Sequence, residues 1–255
     1  EGPSYTVDTL REYHAEDPDA GFLPQAGELL RVEFPSGPWV RVDAGVASGD
    51  RVAGYLPNCP EAVIAMLATT SIGATWSSCS PDFGVNGVVD RFGQIAPRVL
   101  VCADGYFYNG KQFDSLESVR GVLDRIESIE KTVVVPFTGD PVSLDGIRGG
   151  FHWDDFVVPG AELVFTPTAF NHPLYIMYSS GTTGVPKCIV HGAGGTLVQH
   201  LKEHSLHCDI GPDDRLFFFT TCGWMMWNWL VSGLTVGATI YLYDGSPFAE
   251  EGRLL

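Results

Sequence analysis

Short apolar runs, unbroken rather than alternating, recur along the middle of the chain at residues 51–56 (RVAGYL), 98–102 (RVLVC) and 132–136 (TVVVP). Strands covered on both faces of a sheet carry this pattern, because neither face meets water. The segments between them read as helices. One spans 62–72, opening after Asn58, Cys59, Pro60 and Glu61 with proline in its first turn and stopping at Gly73. A strand at 74–77 follows, then a helix from Pro81 and Asp82 to about Gln94, and a third helix at 115–126. Strands alternating with helices at this spacing predict βαβ units, so the fold class is α/β, with mainly parallel sheets and helices on both faces. Further along, Pro173 bounds an apolar strand at 174–177, and Leu197, Leu201 and Leu206 mark a helical period within 192–207. A strand at 215–220 then leads into an apolar helix running from Gly223 and Trp224 to about Leu234.

The stretches outside this rhythm read as loops. Pro18, Pro24, Pro35 and Pro38 interrupt the first 44 residues, where only 8–13 suggests a short helix. Glycines and prolines dominate 138–168 apart from a short piece at 153–156, which makes it a mobile connection. Composition sets further limits. With 255 residues, 45% of them hydrophobic, the chain can bury a large core and lies near the upper size for one domain. Its 31 acidic against 15 basic side chains give a formal charge of −16, which disfavours nucleic acid and anionic membrane surfaces as partners, since both need a basic patch. No apolar run approaches the roughly 18 residues of a membrane span, and the N-terminus (EGPSYT) has neither the basic nor the apolar region of a leader, so a soluble, cytoplasmic protein is expected. Six cysteines (Cys59, Cys79, Cys102, Cys188, Cys208, Cys222) are scattered without a CxxC pair and read as reduced core or loop thiols. His200, His204 and His207 fall at i, i+4 and i+7 with Cys208 next, a set that invites a metal ion. The three-turn span is long for one ion and the acid of a zinc-protease helix is missing, so a half-exposed helix face is the better account and no metal ligand is assigned.

The densest chemistry follows the 174–177 strand, in SSGTTGVPK at 179–187. Gly181 and Gly184 can take positive φ and let backbone amides approach an anion, while Ser179, Ser180, Thr182 and Thr183 add hydroxyl donors. Pro186 restricts the backbone, and Lys187 supplies fixed positive charge. Together they describe a cradle for phosphate. The widespread GxxxxGK[ST] loop is absent, since the lysine here follows Gly184 by three residues and precedes Cys188. A plain Ser/Thr/Gly turn between two strands is the alternative, but ordinary turns take roughly two to five residues and seldom set four hydroxyls ahead of a lysine. SSGTTGVPK resembles the signature loop of the adenylate-forming superfamily, which comprises acyl-CoA synthetases, luciferases and the adenylation domains of peptide synthetases. The resemblance implies an ATP site in which Lys187, Thr182 and Thr183 act catalytically and Ser179, Ser180, Gly181, Thr182, Thr183, Gly184 and Lys187 hold the phosphates. Mg2+ bridging those phosphates, and CoA as a second substrate, are implied with it.

A second stretch, TTCGWMMWNW at 220–229, concentrates three tryptophans and two methionines. Core packing accounts for most of them, yet a helix apolar on all sides is either buried or lines a cavity. Gly223 and Trp224 stand at a strand end, where open α/β sheets place ligands. This segment is similar to the one that walls the acyl pocket in acetyl- and acetoacetyl-CoA synthetases, which implies that Gly223, Trp224, Met225, Met226 and Asn228 line the acid site. Methionines would supply adaptable packing, and Asn228 a hydrogen bond to a 3-keto oxygen. With SSCSPDFG (77–84), DRFGQ (90–94), DGY (104–106) and LYDGSP (242–247), the resemblance is greatest to the acetoacetyl-CoA synthetase family and covers about 45–248. It implies activation of acetoacetate by ATP to acetoacetyl-AMP and then acetoacetyl-CoA, with release of pyrophosphate and AMP. Acetate, propionate or butyrate is the alternative acid, since pockets differing by a methylene discriminate by only about 1–3 kcal/mol. For CoA, the family often places basic residues after the DGY match; here Phe107 stands in one such place and Lys111 is the nearest cation, which can equally be a surface lysine.

The same resemblance divides the chain. Residues 1–44 form an irregular N-terminal segment, and because a long helix usually precedes the match to GVASGDRV (45–52), residues are expected to be missing after about 38. Residues 45–205 are expected to form the first α/β subdomain, including the phosphate loop, and 206–255 the truncated start of a second. The adenine and ribose segments, the hinge and the C-terminal domain with the adenylation lysine are expected beyond Leu255. The stretch is thus expected to be an incomplete N-terminal domain of the adenylate-forming fold, inactive alone. A truncated relative that binds a nucleotide or protein without turnover is the non-enzymatic alternative, which an intact mass near 27.6 kDa would favour.

Overall fold

The computed structural model describes residues 29–32, 39–42, 45–161, 165–179 and 184–246. Two short strands, β1 (Leu29–Val32) and β2 (Trp39–Val42), come first, in a stretch whose prolines predict loops. The predicted alternation then appears: β3 (Arg51–Tyr55), α1 (Pro60–Ser71), β4 (Thr75–Cys79), α2 (Val85–Phe92) and β5 (Val99–Ala103). A hairpin of β6 (Gly105–Tyr108) and β7 (Lys111–Asp114) leads to α3 (Leu116–Leu123) and β8 (Lys131–Val135). After β9 (Gly150–His152), α4 (Trp153–Phe156) and β10 (Val157–Ala161) come β11 (Pro173–Ser179), β12 (Lys187–Gly192) and α5 (Ala193–Lys202). The last elements are β13 (Arg215–Phe217), α6 (Met225–Ser232) and β14 (Thr239–Tyr243).

Among the described residues the main sheet has seven strands in the order β12-β11-β4-β3-β5-β8-β9, parallel except for the β11–β12 pair. A second sheet runs β1-β14-β13, and β2 pairs with β10. Burial alternates along the strands to both sides. Val99, Val101 and Ala103 of β5, with Val133 and Val135 of β8, meet Val63, Met66, Trp153, Phe156, Trp227 and Leu230 from α1, α4 and α6. Leu100, Cys102 and Val134 turn the other way, to Phe92, Val119 and Val122 of α2 and α3. Two covered faces explain the unbroken apolar runs. Among the described residues no helix is long and apolar enough to cross a membrane.

α1 opens on Pro60, whose missing N–H would be unpaired there anyway, and Gly73 leaves it at φ +74°. α2 begins later than its residue pattern predicts. The Tyr55 hydroxyl lies 2.5 Å from the Phe83 carbonyl and 3.0 Å from that of Pro81, and Phe83 N–H bonds Ser80 O at 3.1 Å, so residues 80–83 form a turn instead of a first helical turn. The strand expected at 215–220 stops at Phe217, where its pairing with β14 ends. α5 widens into a π-helical turn at Glu203–His207, which displaces His207 from the i+7 position. His200 and His204 are buried while His207 and Cys208 are exposed, so the histidines do not form the half-exposed face expected of them. The His204 Nε2 atom lies 2.9 Å from Ser232 Oγ and 3.1 Å from Trp229 O of α6, and burial lowers the pKa of His200 and His204.

One close approach locks β3 to β4. A Cβ on Gly54 would lie 2.5 Å from two ring atoms of the fully buried Trp76. Gly54→Ala is expected to destabilise the fold by about 1–3 kcal/mol, read as a lower denaturant midpoint at unchanged slope. Adding Trp76→Phe should recover part of that loss.

Candidate active site

Ser77 and Ser78 near the carboxyl end of β4 are adjacent, so their side chains leave on opposite faces. Ser77 Oγ donates to Ile176 O of β11 (2.8 Å) and lies 3.0 Å from the Tyr178 hydroxyl; Ser78 Oγ donates to Cys222 O (2.7 Å). One strand end therefore holds both stretches that carry candidate chemistry.

β11 and β12 form an antiparallel hairpin in which Ser179 stands opposite Lys187. The segment 180–186 is thus a connection between two strands, longer than the roughly two to five residues of an ordinary hairpin loop. Of the predicted cradle, Ser180, Gly181, Thr182 and Thr183 lie outside the described residues. Ser179 is half-buried and Lys187 exposed. Gly184 has φ +129° with open space where a Cβ would stand, a conformation that suits glycine alone. The residue after α2's cap reaches across to this loop: Gln94 Nε2 donates to Pro186 O (2.8 Å), and Cys188 Sγ donates to Gln94 Oε1 (3.6 Å). Sequence reasoning assigned Gln94 no role, and a contact spanning 92 residues leaves no local signal. Arg91, one turn earlier, places its guanidinium 4.7 Å from the Phe83 ring centre and 5.8 Å from that of Tyr178, whose phenol is held protonated by burial.

α6 sorts its residues by direction. Gly223 packs tightly, since a Cβ there would lie 3.2 Å from Phe83 Cζ and Ser80 N. Trp224 is 64% exposed and Met225 39%, Met226 is half-buried, and Trp227 and Asn228 are buried. Trp227 Nε1 donates to Asn58 Oδ1 (2.8 Å) and serves the core. Asn228 points at β11: its Nδ2 lies 3.5 Å from Met177 Sδ, two residues before Ser179, and its Oδ1 is buried without a partner among the described residues. The structure therefore joins Asn228 to the strand that feeds the loop, and turns Trp224 and Met225 outward. Lys111 is exposed at the start of β7, on a hairpin where Tyr106 stacks on Phe113 at 5.0 Å and Phe107 sits 6.0 Å from Phe137. Asp104 of the DGY stretch serves the fold, accepting from Phe137 N (2.9 Å), Thr138 N (3.1 Å) and Thr138 Oγ1 (2.6 Å).

Asp244, just past β14, is a group that sequence reasoning missed as an individual. Burial pushes its carboxyl up to about 7, helped by the nearby Asp82 and opposed by the backbone amides of Phe107 and Asn58, and its Oδ2 has no partner among the described residues. Among the described residues no group of three or more His, Cys, Asp or Glu side chains is placed to hold a metal ion. An apolar recess between α1 and α4, lined by Val46, Val52, Ala65, Ile72, Trp153 and Phe156, belongs to the core.

A family model described as AMP-binding enzyme matches residues 39–255. The acetoacetyl-coenzyme A synthetase of Rhizobium meliloti (strain 1021) is 58% identical over 214 residues, covering 83% of this chain and 33% of that protein. The acetoacetyl-CoA synthetase of Gallus gallus is 50% identical over 218 residues, covering 83% and 33%. The solved structure of acetoacetyl-CoA synthetase from Streptomyces lividans superposes with a TM-score of 0.77 at 49% identity, covering 81% of this chain and 32% of that one. The resemblance read from the motifs agrees with these relatives, and the chain spans about a third of their length.

Asp244 generates a prediction whose sign follows from its raised pKa. The folded state retains a proton that the unfolded chain releases, so the stability contributed by the neutral carboxyl is full below the ordinary carboxylate value and lost as pH rises through about 7. Asp244→Asn is expected to raise Tm at about pH 8 and leave it nearly unchanged at about pH 4. Equal shifts at both pH values would exclude the buried charge as the cause.

Proposed function

Because this chain belongs to the AMP-binding enzyme family, we propose that the full gene product is an acid–thiol ligase that activates acetoacetate with ATP and passes the acyl group to CoA. Relatives about 50–58% identical that are named acetoacetyl-CoA synthetases support the choice of acid. The single observation that carries the proposal is the convergence at the end of β4, where Ser77 and Ser78 tie the Lys187 hairpin and the Asn228 helix to one point.

The chemistry has two balanced steps. An acetoacetate oxygen attacks the α-phosphorus of ATP; the new P–O bond forms as the bond to the β-phosphate oxygen breaks, giving acetoacetyl-AMP and pyrophosphate. The CoA sulfur then attacks the acyl carbon, the bond to AMP breaks, and the thiol proton is released. In the first step the protein's task is positioning and charge neutralisation on the leaving pyrophosphate. Lys187 would supply the fixed charge, with Ser179, Ser180, Thr182, Thr183 and the backbone of Gly181 and Gly184 as donors. Mg2+, when bound, would add to the positive charge that Lys187 sets against the phosphates. Asn228 Nδ2, which donates to a thioether sulfur, a weak acceptor, would turn to a 3-keto oxygen. Gly223, Trp224, Met225 and Met226 would complete that wall, and Lys111 would meet the 3′-phosphate of CoA.

Within the proposal, residues 45–205 serve as the first subdomain and 206–255 begin the second, supported by the separate β1-β14-β13 sheet. A cytoplasmic setting belongs to it too, supported by six cysteines that are all free thiols.

The test is acid-dependent exchange of labelled pyrophosphate into ATP by the full gene product. Acetoacetate should give the fastest exchange, ahead of acetate and butyrate; another acid in first place would correct the substrate, and no exchange with any acid would favour a non-catalytic binding protein. Lys187→Ala should slow exchange by about 100-fold or more without lowering Tm. Asn228→Ala should abolish the preference for acetoacetate over butyrate, and an unchanged preference would remove it from the pocket.

A further inference from the structure

We infer that Gln94 is a positioning residue for Lys187, clamping the two residues that flank the lysine and so setting where its ammonium stands. The inference rests on the proposal that 179–187 holds the phosphates of ATP. Both ends of the Gln94 amide are engaged: Nε2 donates to Pro186 O at 2.8 Å and to Asp90 O at 2.6 Å, and Oε1 accepts from Cys188 Sγ at 3.6 Å. Pro186 and Cys188 are the immediate neighbours of Lys187.

The base of the clamp is rigid. Phe92 and Ile95, on either side of Gln94, are buried, and Gly93 N–H closes the end of α2 on Val89 O at 2.9 Å. The backbone it grips is less packed. Gly184 stands in open space and Val185 is 58% exposed, so the trailing leg of the hairpin has little apolar packing to hold it before β12 begins. A lysine on a long flexible stem reaches a phosphate only from a correctly placed backbone, and a misplacement of about 1 Å can cost about 100-fold in rate. Beside the β11–β12 pairing that places Ser179 opposite Lys187, Gln94 adds a side-chain tie from that backbone to the end of α2.

The experiment uses pyrophosphate exchange by the full gene product with Gln94→Ala, Gln94→Glu, Lys187→Ala and the double variant Gln94→Ala/Lys187→Ala. Gln94→Ala should lower kcat about tenfold, leaving the KM for the acid and Tm unchanged. Gln94→Glu keeps the shape but, ionised, cannot donate to Pro186 O; its deficit relative to wild type should shrink as pH falls and the carboxyl regains its proton, whereas the deficit of Gln94→Ala should stay flat. The double variant should be no slower than Lys187→Ala, because a clamp acting through the lysine has nothing left to position. Wild-type rates for both Gln94 variants beside a crippled Lys187→Ala would overturn the clamp alone, as would additive losses in the double variant. A Lys187→Ala variant with normal exchange would overturn both the phosphate site and the clamp.

Discussion

A sheet buried on both faces satisfies its backbone groups by pairing along its length, so free carbonyls concentrate at its ends and in the turns beyond them. At β4 two hydroxyls reach carbonyls outside the strand, one within β11 and one in the turn before α6. Ser77 reaches a carbonyl 99 residues away and Ser78 one 144 residues away. A buried hydroxyl or carbonyl left without its partner costs about 1–3 kcal/mol, so neither bond is readily given up. Those two bonds, with the β11–β4 pairing and the packing of α6 on the same core, hold the hairpin that bears Lys187 and the turn that opens α6 beside β4. With the serines replaced by residues of equal size and no hydroxyl, both stretches would keep their apolar packing and lose their common reference point.

Much of the sheet was legible because burial on two faces writes itself into consecutive apolar residues. The runs at 51–56, 98–102 and 132–136 became β3, β5 and β8 with ends displaced by a residue, and Pro60 and Gly73 bracketed α1 as proline and glycine chemistry requires. Errors arose where a distant group overrode a local preference. Pro81 and Asp82 look like a helix start, but the Tyr55 hydroxyl occupies the carbonyls of that turn. The histidine spacing assumed 3.6 residues per turn, and the π-helical turn at 203–207 departs from it. β1 and β2 form through pairing with β14 and β10, and no local pattern foretells partners so far along the chain.

For the candidate site, the sequence offers residue types and the structure places some of them. Glycines, hydroxyls and a lysine in one short stretch are what a phosphate cradle would need, and an asparagine among tryptophans is what a polar point in the proposed wall would need. Which of those side chains turn inward is a matter of helix phase: Asn228 meets β11, and Trp224 and Met225 face solvent. Asp244 was hidden for another reason. Its unusual carboxyl comes from burial beneath elements that start near Asn58 and Phe107, which no inspection of residues 242–247 reveals.

The contact between Gly54 and Trp76 also constrains how this sheet can change over generations. Enlarging residue 54 first forces atoms into the indole ring, and shrinking residue 76 first opens a void whose cost for a large aromatic is about 3–5 kcal/mol. Each single step leads through a less stable protein, while the paired change need not. Positions 54 and 76 should therefore drift together or not at all, so that glycine opposite tryptophan is inherited as one character rather than two.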